Sequence, residues 1–248
     1  MRALVYIGWD PREVEAYEVC KFSLEQRASA EVTVKRIVLE DLRGAGLYHR
    51  PTEIRDGRLW DVISEAPMST EFAISRFFVT MLAKQDDPEI DFALFCDCDF
   101  LWLGDVAELL ASLDQEKALS CVKHEYAPSE EMKMDGQVQL RYQRKNWSSL
   151  MVFNLRHPSH SRLTAELLNS VAGRDLHRFC WLADEEIGAI PQTWNWLEGA
   201  AVRPDNPPKA VHFTRGGPWM HGWESVDYAN LWLDERAKAI ELSWSDDV

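Results

Sequence analysis

The chain has 248 residues, of which 46% are hydrophobic, and it carries a formal net charge of -14 at pH 7. This length allows a sizeable apolar core, and the composition is typical of a folded protein. The negative charge argues against a nucleic-acid-binding surface and against docking on anionic lipid, because both need clustered Lys and Arg. A phosphorylated small molecule stays compatible with it, provided that a cation stands between the phosphate and the acidic groups.

The cysteine pattern and the N-terminus predict a cytoplasmic protein. Five cysteines, an odd number without zinc-site spacing, indicate a reducing compartment. The apolar run at the N-terminus stops at Gly8, which is too short for a signal peptide. No stretch approaches the roughly 20 apolar residues of a membrane span, so we expect no integral membrane segment.

The first half of the chain predicts alternating strands and helices. "ALVYIG" and "EVTVKRIVL" read as strands, with a helix from about Pro11 between them. Such a β-α-β opening usually builds a parallel sheet. Residues 40–68 hold several glycines and prolines and are expected to form a structured loop. A helix over "MSTEFAISRFFVTMLAKQ", a strand "DFALFCD" and a helix "DVAELLASL" follow.

The second half continues the alternation. We predict strands at "KALSCVKHE", "SSLMVFNL" and "KAVHFT", helices at "SHSRLTAELLNSVA" and "LADEEIGAI", and a final helix over about 224–243. The polar segment 124–147 is long enough to suggest a functional loop. With no repeat and no linker, the chain is predicted to be a single α/β domain.

The segment "DFALFCDCDFLWLGDV", residues 91–106, ends an apolar strand in Asp97 and Asp99. Residues i and i+2 of a strand point the same way, about 6.6–7 Å apart. Two carboxylates on one face repel each other unless a cation lies between them, and oxygen ligands suit Mg²⁺, Mn²⁺ or Ca²⁺. The alternative is an ordinary strand end at the surface. This is the only strict Asp-x-Asp in the chain, and it follows a core strand.

A late strand, "KAVHFTRGGPW", supplies a second group of polar residues. His212 near the two carboxylates would favour Mn²⁺ over Mg²⁺, although a single histidine in an apolar strand is often a core residue. Gly216 and Gly217 permit close approach of the backbone to phosphate, and Arg215 offers a charged donor. The alternative is an ordinary turn before Pro218.

Five blocks in order resemble a known family: "STEFAISRFF", "DFALFCDCDFLWLGDVAEL", "WSSLMVFNL", "LADEEIGAI" and "KAVHFTRGGPW". They are similar to the GT-A fold of nucleotide-sugar glycosyltransferases, and more narrowly to the retaining family 8, which includes glycogenin and lipopolysaccharide galactosyl- and glucosyltransferases. The resemblance covers most of residues 1–220. It implies a Rossmann-like mixed sheet with helices on both faces.

The resemblance also implies roles for single residues. Asp97, Asp99 and His212 match the metal site of the family, and Asp184 and Glu185 match an Asp-Gln pair near the transferred sugar, which makes them candidate catalytic residues. The implied nucleotide- and donor-binding residues are Tyr6, Gly8, Asp10, Arg76, Asp97, Cys98, Arg215, Gly216 and Gly217. Residues 1–122 would be the nucleotide-binding half, 123–220 the acceptor half and 221–248 a C-terminal helix.

Three positions depart from the family pattern. Gly217 stands where the family usually has a phosphate-binding Lys, and Arg215 is a candidate substitute. The segment 148–150, Ser-Ser-Leu, replaces an Asn-Ala-Gly turn. Glu185 replaces Gln, which places a carboxylate where the family has an amide.

The implied function is transfer of a hexose from a nucleotide diphosphate, with UDP expected, to a hydroxyl of a glycan, a lipid-linked precursor or a protein, with retention. Mn²⁺ is the expected ion and Mg²⁺ the alternative. Retention arises either by front-face attack or through a covalent intermediate on a carboxylate. Two other functions compete. A sugar nucleotidyltransferase usually has a Gly-rich basic loop after its first strand, which "IGWDPRE" lacks, and a non-catalytic nucleotide-sugar-binding relative would explain the missing Lys.

Overall fold

The structure is a computed structural model that describes residues 3–124, 144 and 146–245. The strands are β1 (Ala3–Gly8), β2 (Val32–Ile37), β3 (Thr52–Arg55), β4 (Arg58–Asp61), β5 (Ala66–Pro67), β6 (Phe92–Cys96), β7 (Phe100–Trp102), β8 (Leu119–Cys121), β9 (Leu150–Asn154), β10 (Ile187–Ala189), β11 (Trp196–Leu197) and β12 (Ala210–His212). The α-helices are α1 (Val14–Arg27), α2 (Leu39–Gly44), α3 (Phe72–Ser75), α4 (Val79–Asp86), α5 (Val106–Ala111), α6 (Ala165–Ser170), α7 (Gly173–His177) and α8 (Ala229–Ser245). Single 3-10 turns lie at Arg76–Phe78, Trp147–Ser149, Pro158–Arg162, Asp184–Glu186 and Gln192–Trp194.

A six-stranded sheet forms the centre of the fold, in the order β10-β8-β9-β6-β1-β2. β1 pairs in parallel with β2 and β6, as the opening of the sequence predicts, and β9 alone runs antiparallel to its neighbours in this sheet. Residues 4–7 and 93–96 are buried, as expected of strands covered on both faces. The predicted mixed α/β fold is therefore confirmed.

A second sheet brings distant parts of the chain together, in the order β11-β12-β7. β7 and β12 are antiparallel, and their register sets Phe100 opposite His212. The chain leaves the central sheet at Cys96 and enters this second sheet at Phe100. Residues 97–99 are the link between the two sheets. Asp97 and Asp99 therefore lie in a turn, not on one face of a strand as we predicted.

The segment 40–68 contains regular structure that the sequence analysis missed. α2 is followed by an antiparallel sheet of β3, β4 and β5. Arg50 and Asp61, both buried, form a bidentate ion pair with N–O distances of 3.0 and 2.6 Å. Nη1 of Arg50 also donates to the carbonyls of Leu168 and Val171 at 2.7 Å each. This arginine ties the small sheet to the end of α6.

Two predicted helices differ from the structure. Residues 158–170 form a 3-10 turn and then α6, which begins after Thr164, whose hydroxyl caps the helix by accepting the Leu167 N–H. The predicted helix at "LADEEIGAI" is one 3-10 turn followed by β10, because pairing with β8 overrides local helix propensity. Gly188 permits that pairing, since a Cβ there would clash with Ser120.

The remaining elements follow the prediction with shifted ends. The final helix begins at Ala229 rather than near 224. Most of the predicted loop 124–147 lies outside the described residues. Among the described helices, none combines the length and the apolar character that crossing a bilayer requires.

Replacing Arg50 by Met should lower the free energy of unfolding by about 3–5 kcal/mol, because it leaves the Asp61 carboxylate buried without its cation. Urea denaturation followed by circular dichroism measures the change. Arg55→Met is the matched control, since Arg55 pairs with Glu53 at the surface of the same small sheet. We expect that control to stay within roughly 0.5 kcal/mol of wild type. Equal effects of the two variants would contradict the structural role of the buried pair.

A buried histidine should make stability depend on pH. His160 is 4% exposed and its Nε2–H donates to the carbonyl of Ala118 at 2.8 Å, while its ring packs on Phe153. Burial lowers the pKa of His160 to about 4 from its ordinary 6.5. The unfolded chain therefore takes up the proton first, so this contribution is complete above pH 6.5 and is lost as the pH falls towards 4.

We expect this effect to cost about 2 kcal/mol of stability between pH 7 and pH 5, from the standard free energy of a pKa shift. His160→Gln keeps an N–H donor for Ala118 but cannot titrate. Urea midpoints of wild type and variant at both pH values give the difference directly. The variant should lose less stability than wild type on acidification, and parallel losses would refute the assignment.

Candidate functional site

A cavity of about 450 Å³ opens at the carboxyl ends of β6 and β12. Its walls include Arg76, Asp97, Asp99, His212, Arg215 and Trp219. This is the edge at which α/β sheets usually bind ligands. The walls come from both sides of the boundary at residue 122 that the sequence analysis drew.

Three predicted metal ligands meet in this cavity. One ligand atom from each of Asp97, Asp99 and His212 lies within 4.8 Å of the others. Ligand atoms around one ion bound at about 2.2 Å lie up to about 4.4 Å apart, so closing the cluster by a few tenths of an ångström is enough for one divalent cation to contact all three. Two carboxylates and an imidazole are also the mixed oxygen and nitrogen set that suits Mn²⁺. The residues present therefore fit the predicted ion.

The fold holds His212 firmly. Its side chain is 3% exposed, its ring stacks on Phe100 at 4.5 Å, and its Nδ1 lies 2.9 Å from Oδ1 of the buried Asn195. Its Nε2 lies 3.3 Å from Asp99. The β7–β12 register produces this arrangement, because it places His212 directly opposite the residue that follows Asp99.

Arg76 lies on the other side of the cluster. It is 6% exposed, and its Nη1 lies 2.7 Å from Asp97 and donates to the carbonyl of Ser148. Its guanidinium also lies over the rings of Phe72 and Phe95. Arg76 thus brings a fixed positive charge into the cavity wall, next to one of the two carboxylates.

Arg215 is a second cation in the wall. Its Nη2 lies 3.5 Å from the buried carboxylate of Glu198, and it packs directly against Gly199, where any side chain would collide with it. Gly216, with φ of +138°, is a wall residue, whereas Gly217 packs against the ring of Trp219 and is not a wall residue. The predicted glycine pair therefore divides between the cavity and the layer behind it.

Four predicted nucleotide-binding residues lie behind the walls. Tyr6 is buried and donates its hydroxyl proton to Asp86, and Cys98 is buried and donates to Glu13. Gly8 packs against the ring of Phe72, which a Cβ at this position would strike. The buried Asp10 accepts hydrogen bonds from the backbone N–H groups of Arg12 and Glu71. Their roles in nucleotide binding stay predictions, and the described contacts are hydrogen bonds and packing within the fold.

Asp184 and Glu185 do not line the cavity. They precede β10, which runs in the same direction as β6. They therefore lie at the amino ends of these strands, whereas Asp97 lies at the carboxyl end of β6. Asp184 is exposed and paired with Arg144, and Glu185 is exposed. The structure does not bring this pair to the metal ligands, and its catalytic role stays a prediction.

Several wall residues were not predicted from the sequence. Glu13 lines the cavity, and its burial, together with the charge of Asp99, raises the pKa of its carboxyl to about 7. Ser148, Ser149 and His177 are also wall residues. The position of Glu13 just after the first strand was a usable signal, because the ends of parallel strands meet at one edge. Nothing in the sequence distinguished His177 from a core histidine.

The chain resembles one curated protein closely and several solved structures distantly. No family model matches it. It is 45% identical over 235 residues to Protein CDI of Arabidopsis thaliana, covering 93% of this chain and 85% of that protein. The chain belongs to the family of Protein CDI. The name of that relative states no chemistry, so the family by itself assigns no activity.

The solved structures confirm the fold. The chain matches the WbbM bifunctional glycosyltransferase at 15% identity with a TM-score of 0.62, covering 95% of this chain and 50% of that one. GlyE of Streptococcus pneumoniae TIGR4 matches at 15% and 0.58, covering 100% and 64%. The galactosyltransferase LgtC, solved with donor and acceptor sugar analogs, matches at 13% and 0.54, covering 95% of each chain. The chain spans less than two thirds of the first two proteins.

These neighbours have the GT-A fold of glycosyltransferases, so the predicted fold is confirmed. At such low identity the match fixes the architecture and leaves the chemistry to be argued from the cavity itself.

Proposed function

We propose that this member of the Protein CDI family is a metal-dependent glycosyltransferase. It transfers a hexose from a nucleotide diphosphate sugar, with UDP as the nucleotide, to an acceptor hydroxyl, with retention of configuration. The acceptor is a glycan, a lipid-linked precursor or a protein, and the site of action is the cytoplasm. The observation that carries the proposal is the cluster of Asp97, Asp99 and His212 in a cavity that also contains two arginines, within a GT-A fold.

The charge balance of the cavity supports a diphosphate ligand. Asp97 and Asp99 would repel phosphate oxygens on their own, so a cation must stand between them. The three ligands fit Mn²⁺ best, with Mg²⁺ as the alternative. Asp97, Asp99 and His212 would hold this ion, which would supply positive charge to offset the negative charge of the departing diphosphate.

Arg76 and Arg215 are the side chains of this protein that would place positive charge beside the phosphates. Each is held by a carboxylate, Arg76 by Asp97 and Arg215 by Glu198. Both guanidinium groups are therefore oriented before the ligand arrives, so no side-chain ordering has to accompany binding. Cations fixed in this way stabilise negative charge in the transition state. Arg215 takes the place of the Lys that the retaining family 8 glycosyltransferases usually have at the position of Gly217.

The geometry favours front-face transfer over a covalent intermediate. A carboxylate nucleophile must contact the anomeric carbon of the bound donor. Asp184 and Glu185 lie outside the cavity walls, and Asp184 is engaged with Arg144. In front-face transfer, the leaving phosphate accepts the proton of the acceptor hydroxyl, and the chain contributes only orientation and positive charge.

A non-catalytic nucleotide-sugar-binding protein is the second candidate. Gly217 favours it, because the family's phosphate-binding Lys is missing there. The two candidates share donor binding and differ in turnover. No feature of the cavity favours a sugar nucleotidyltransferase, since the segment after β1 contributes the acidic Glu13 rather than a basic glycine-rich loop.

Calorimetric titration of UDP into the protein tests the site. We expect binding in the presence of Mn²⁺, and a loss of at least tenfold in affinity when the metal is chelated or Asp99 is replaced by Asn. Asp114→Asn removes an exposed carboxylate that is not among the cavity walls and should bind UDP like wild type. Binding without metal that survives Asp99→Asn would overturn the metal-bridged site. Mn²⁺-dependent binding without turnover of any UDP-hexose would favour the non-catalytic candidate.

Glu185→Gln decides the role of the predicted catalytic carboxylate. We expect the variant to keep its rate of UDP-hexose turnover within about threefold of wild type, because Glu185 has no contact with the cavity. A carboxylate nucleophile would instead lose on the order of a hundredfold or more. Asp184→Asn, measured alongside, tests the neighbouring residue, and Asp114→Asn again serves as the control. A large loss in Glu185→Gln would establish the covalent route and refute our placement.

A further inference from the structure

The hydrogen bonds behind His212 form a chain with a fixed direction. Asn195 is fully buried, and its amide contacts His212 on one side and Ser149 on the other, at 2.9 Å each. Ser149 in turn contacts the carbonyl of Asn146 at 2.7 Å. None of these three residues was singled out by the sequence as a metal ligand. Asn195 contacts the metal cluster through His212, and the backbone carbonyl of Ser149 accepts the N–H of Asp97 at 3.0 Å.

The direction of the chain follows from its last member. A carbonyl oxygen can only accept, so the Ser149 hydroxyl must donate its proton to Asn146. The lone pairs of that hydroxyl then accept from Nδ2 of Asn195. With its amide nitrogen committed to Ser149, Asn195 must present its oxygen to His212. A backbone carbonyl thus determines the orientation of the amide beside the imidazole.

This orientation determines the tautomer of His212. Because Oδ1 of Asn195 accepts, Nδ1 of His212 carries the ring proton, and Nε2 of the neutral ring keeps its lone pair. Nε2 is the atom that lies 3.3 Å from Asp99 in the metal cluster. Only this tautomer offers an electron pair to a cation without first moving a proton.

We propose that Ser149, acting through Asn195, is a positioning residue that sets the tautomer of His212 and thereby the affinity of the site for divalent metal. The inference rests on the metal site of the proposed function and adds a residue that the resemblance left in doubt. Ser149 belongs to the Ser-Ser-Leu segment that replaces the family's Asn-Ala-Gly turn. Ser149 stands at the position of the alanine in that turn, and an alanine would lack the hydroxyl that orients Asn195.

Removing the Ser149 hydroxyl should reverse the direction of the hydrogen bonds that lead to His212. In Ser149→Ala, the Asn195 amide loses the acceptor that held its nitrogen and is free to turn its NH₂ group towards His212. Nδ1 then accepts, the ring proton moves to Nε2, and Nε2–H donates to Asp99. Metal would have to break that hydrogen bond and displace the proton. We therefore expect Mn²⁺ affinity to fall at least tenfold, the usual effect of losing the partner that orients a histidine ligand.

Two measurements test the proposal independently. Long-range ¹H–¹⁵N NMR of metal-free protein with labelled histidine reads the tautomer, with Nδ1–H expected for His212 in wild type and Nε2–H in Ser149→Ala. Electron paramagnetic resonance of free Mn²⁺ gives the affinity without any turnover. Ser23→Ala is the matched control, because Ser23 is an equally buried serine that donates to Cys20 and accepts from Trp102 outside the cavity.

Asn195→Asp supplies the rescue. A carboxylate accepts from Nδ1–H in either orientation, so the double variant Ser149→Ala/Asn195→Asp should regain wild-type Mn²⁺ affinity or better. A merely structural role of Ser149 predicts no such recovery.

The outcomes separate this inference from the proposed function. If wild type fails to bind Mn²⁺, the proposed metal site is wrong. If wild type binds Mn²⁺ but Ser149→Ala matches Ser23→Ala, the site stands and the positioning role is overturned. An Nε2–H tautomer or a doubly protonated ring in the wild-type spectrum overturns it as well, whatever the behaviour of the variants.

Discussion

The central constraint of this structure is electrostatic: two carboxylates and an imidazole are held within 4.8 Å, at the point where one sheet ends and another begins. Such a group is costly unless positive charge offsets it. The surrounding fold is arranged around that cost. Arg76 is buried against Asp97, Arg215 is held nearby by its own carboxylate, and the remaining space fits a divalent ion. A bound cation would offset the charge of the two carboxylates, and this charge balance, more than the fold, supports the proposed diphosphate ligand.

The sequence predicted the parts of the fold that depend on long apolar runs. β1, β6 and β9 are such runs, and their polar ends located Asp97 and Asp99 at the correct edge. β7 and β10 were not predicted as strands, because each has three residues, too few for periodicity to separate strand from turn or helix. β10 was assigned to a helix for this reason. Its identity as a strand comes from pairing with β8, which no local pattern reveals.

The residues of the candidate site also fall into a predicted group and a group that the sequence did not reveal. Residues that end strands were found, whereas Glu13, Ser149 and Asn195 were missed because their positions depend on tertiary contacts between distant segments. The resemblance transferred Asp184 and Glu185 by order along the chain, but order does not specify the edge of the sheet on which a turn lies. Tyr6, Gly8 and Cys98 have contacts within the fold that the sequence did not reveal: Tyr6 donates to Asp86, Gly8 accommodates Phe72 and Cys98 donates to Glu13. Their predicted nucleotide-binding roles stay predictions.

The β7–β12 pairing has a consequence for how the protein matures. Asp97 and Asp99 are made early in synthesis, while His212 comes from one of the last strands and joins them only when β12 docks beside β7. Closing a loop of that length delays the contact relative to local structure. The proposed metal site would therefore be completed only when β12 docks, and a chain lacking β12 would keep the two aspartates without the histidine. In the proposed function, metal binding would thus depend on the late pairing of β12 with β7.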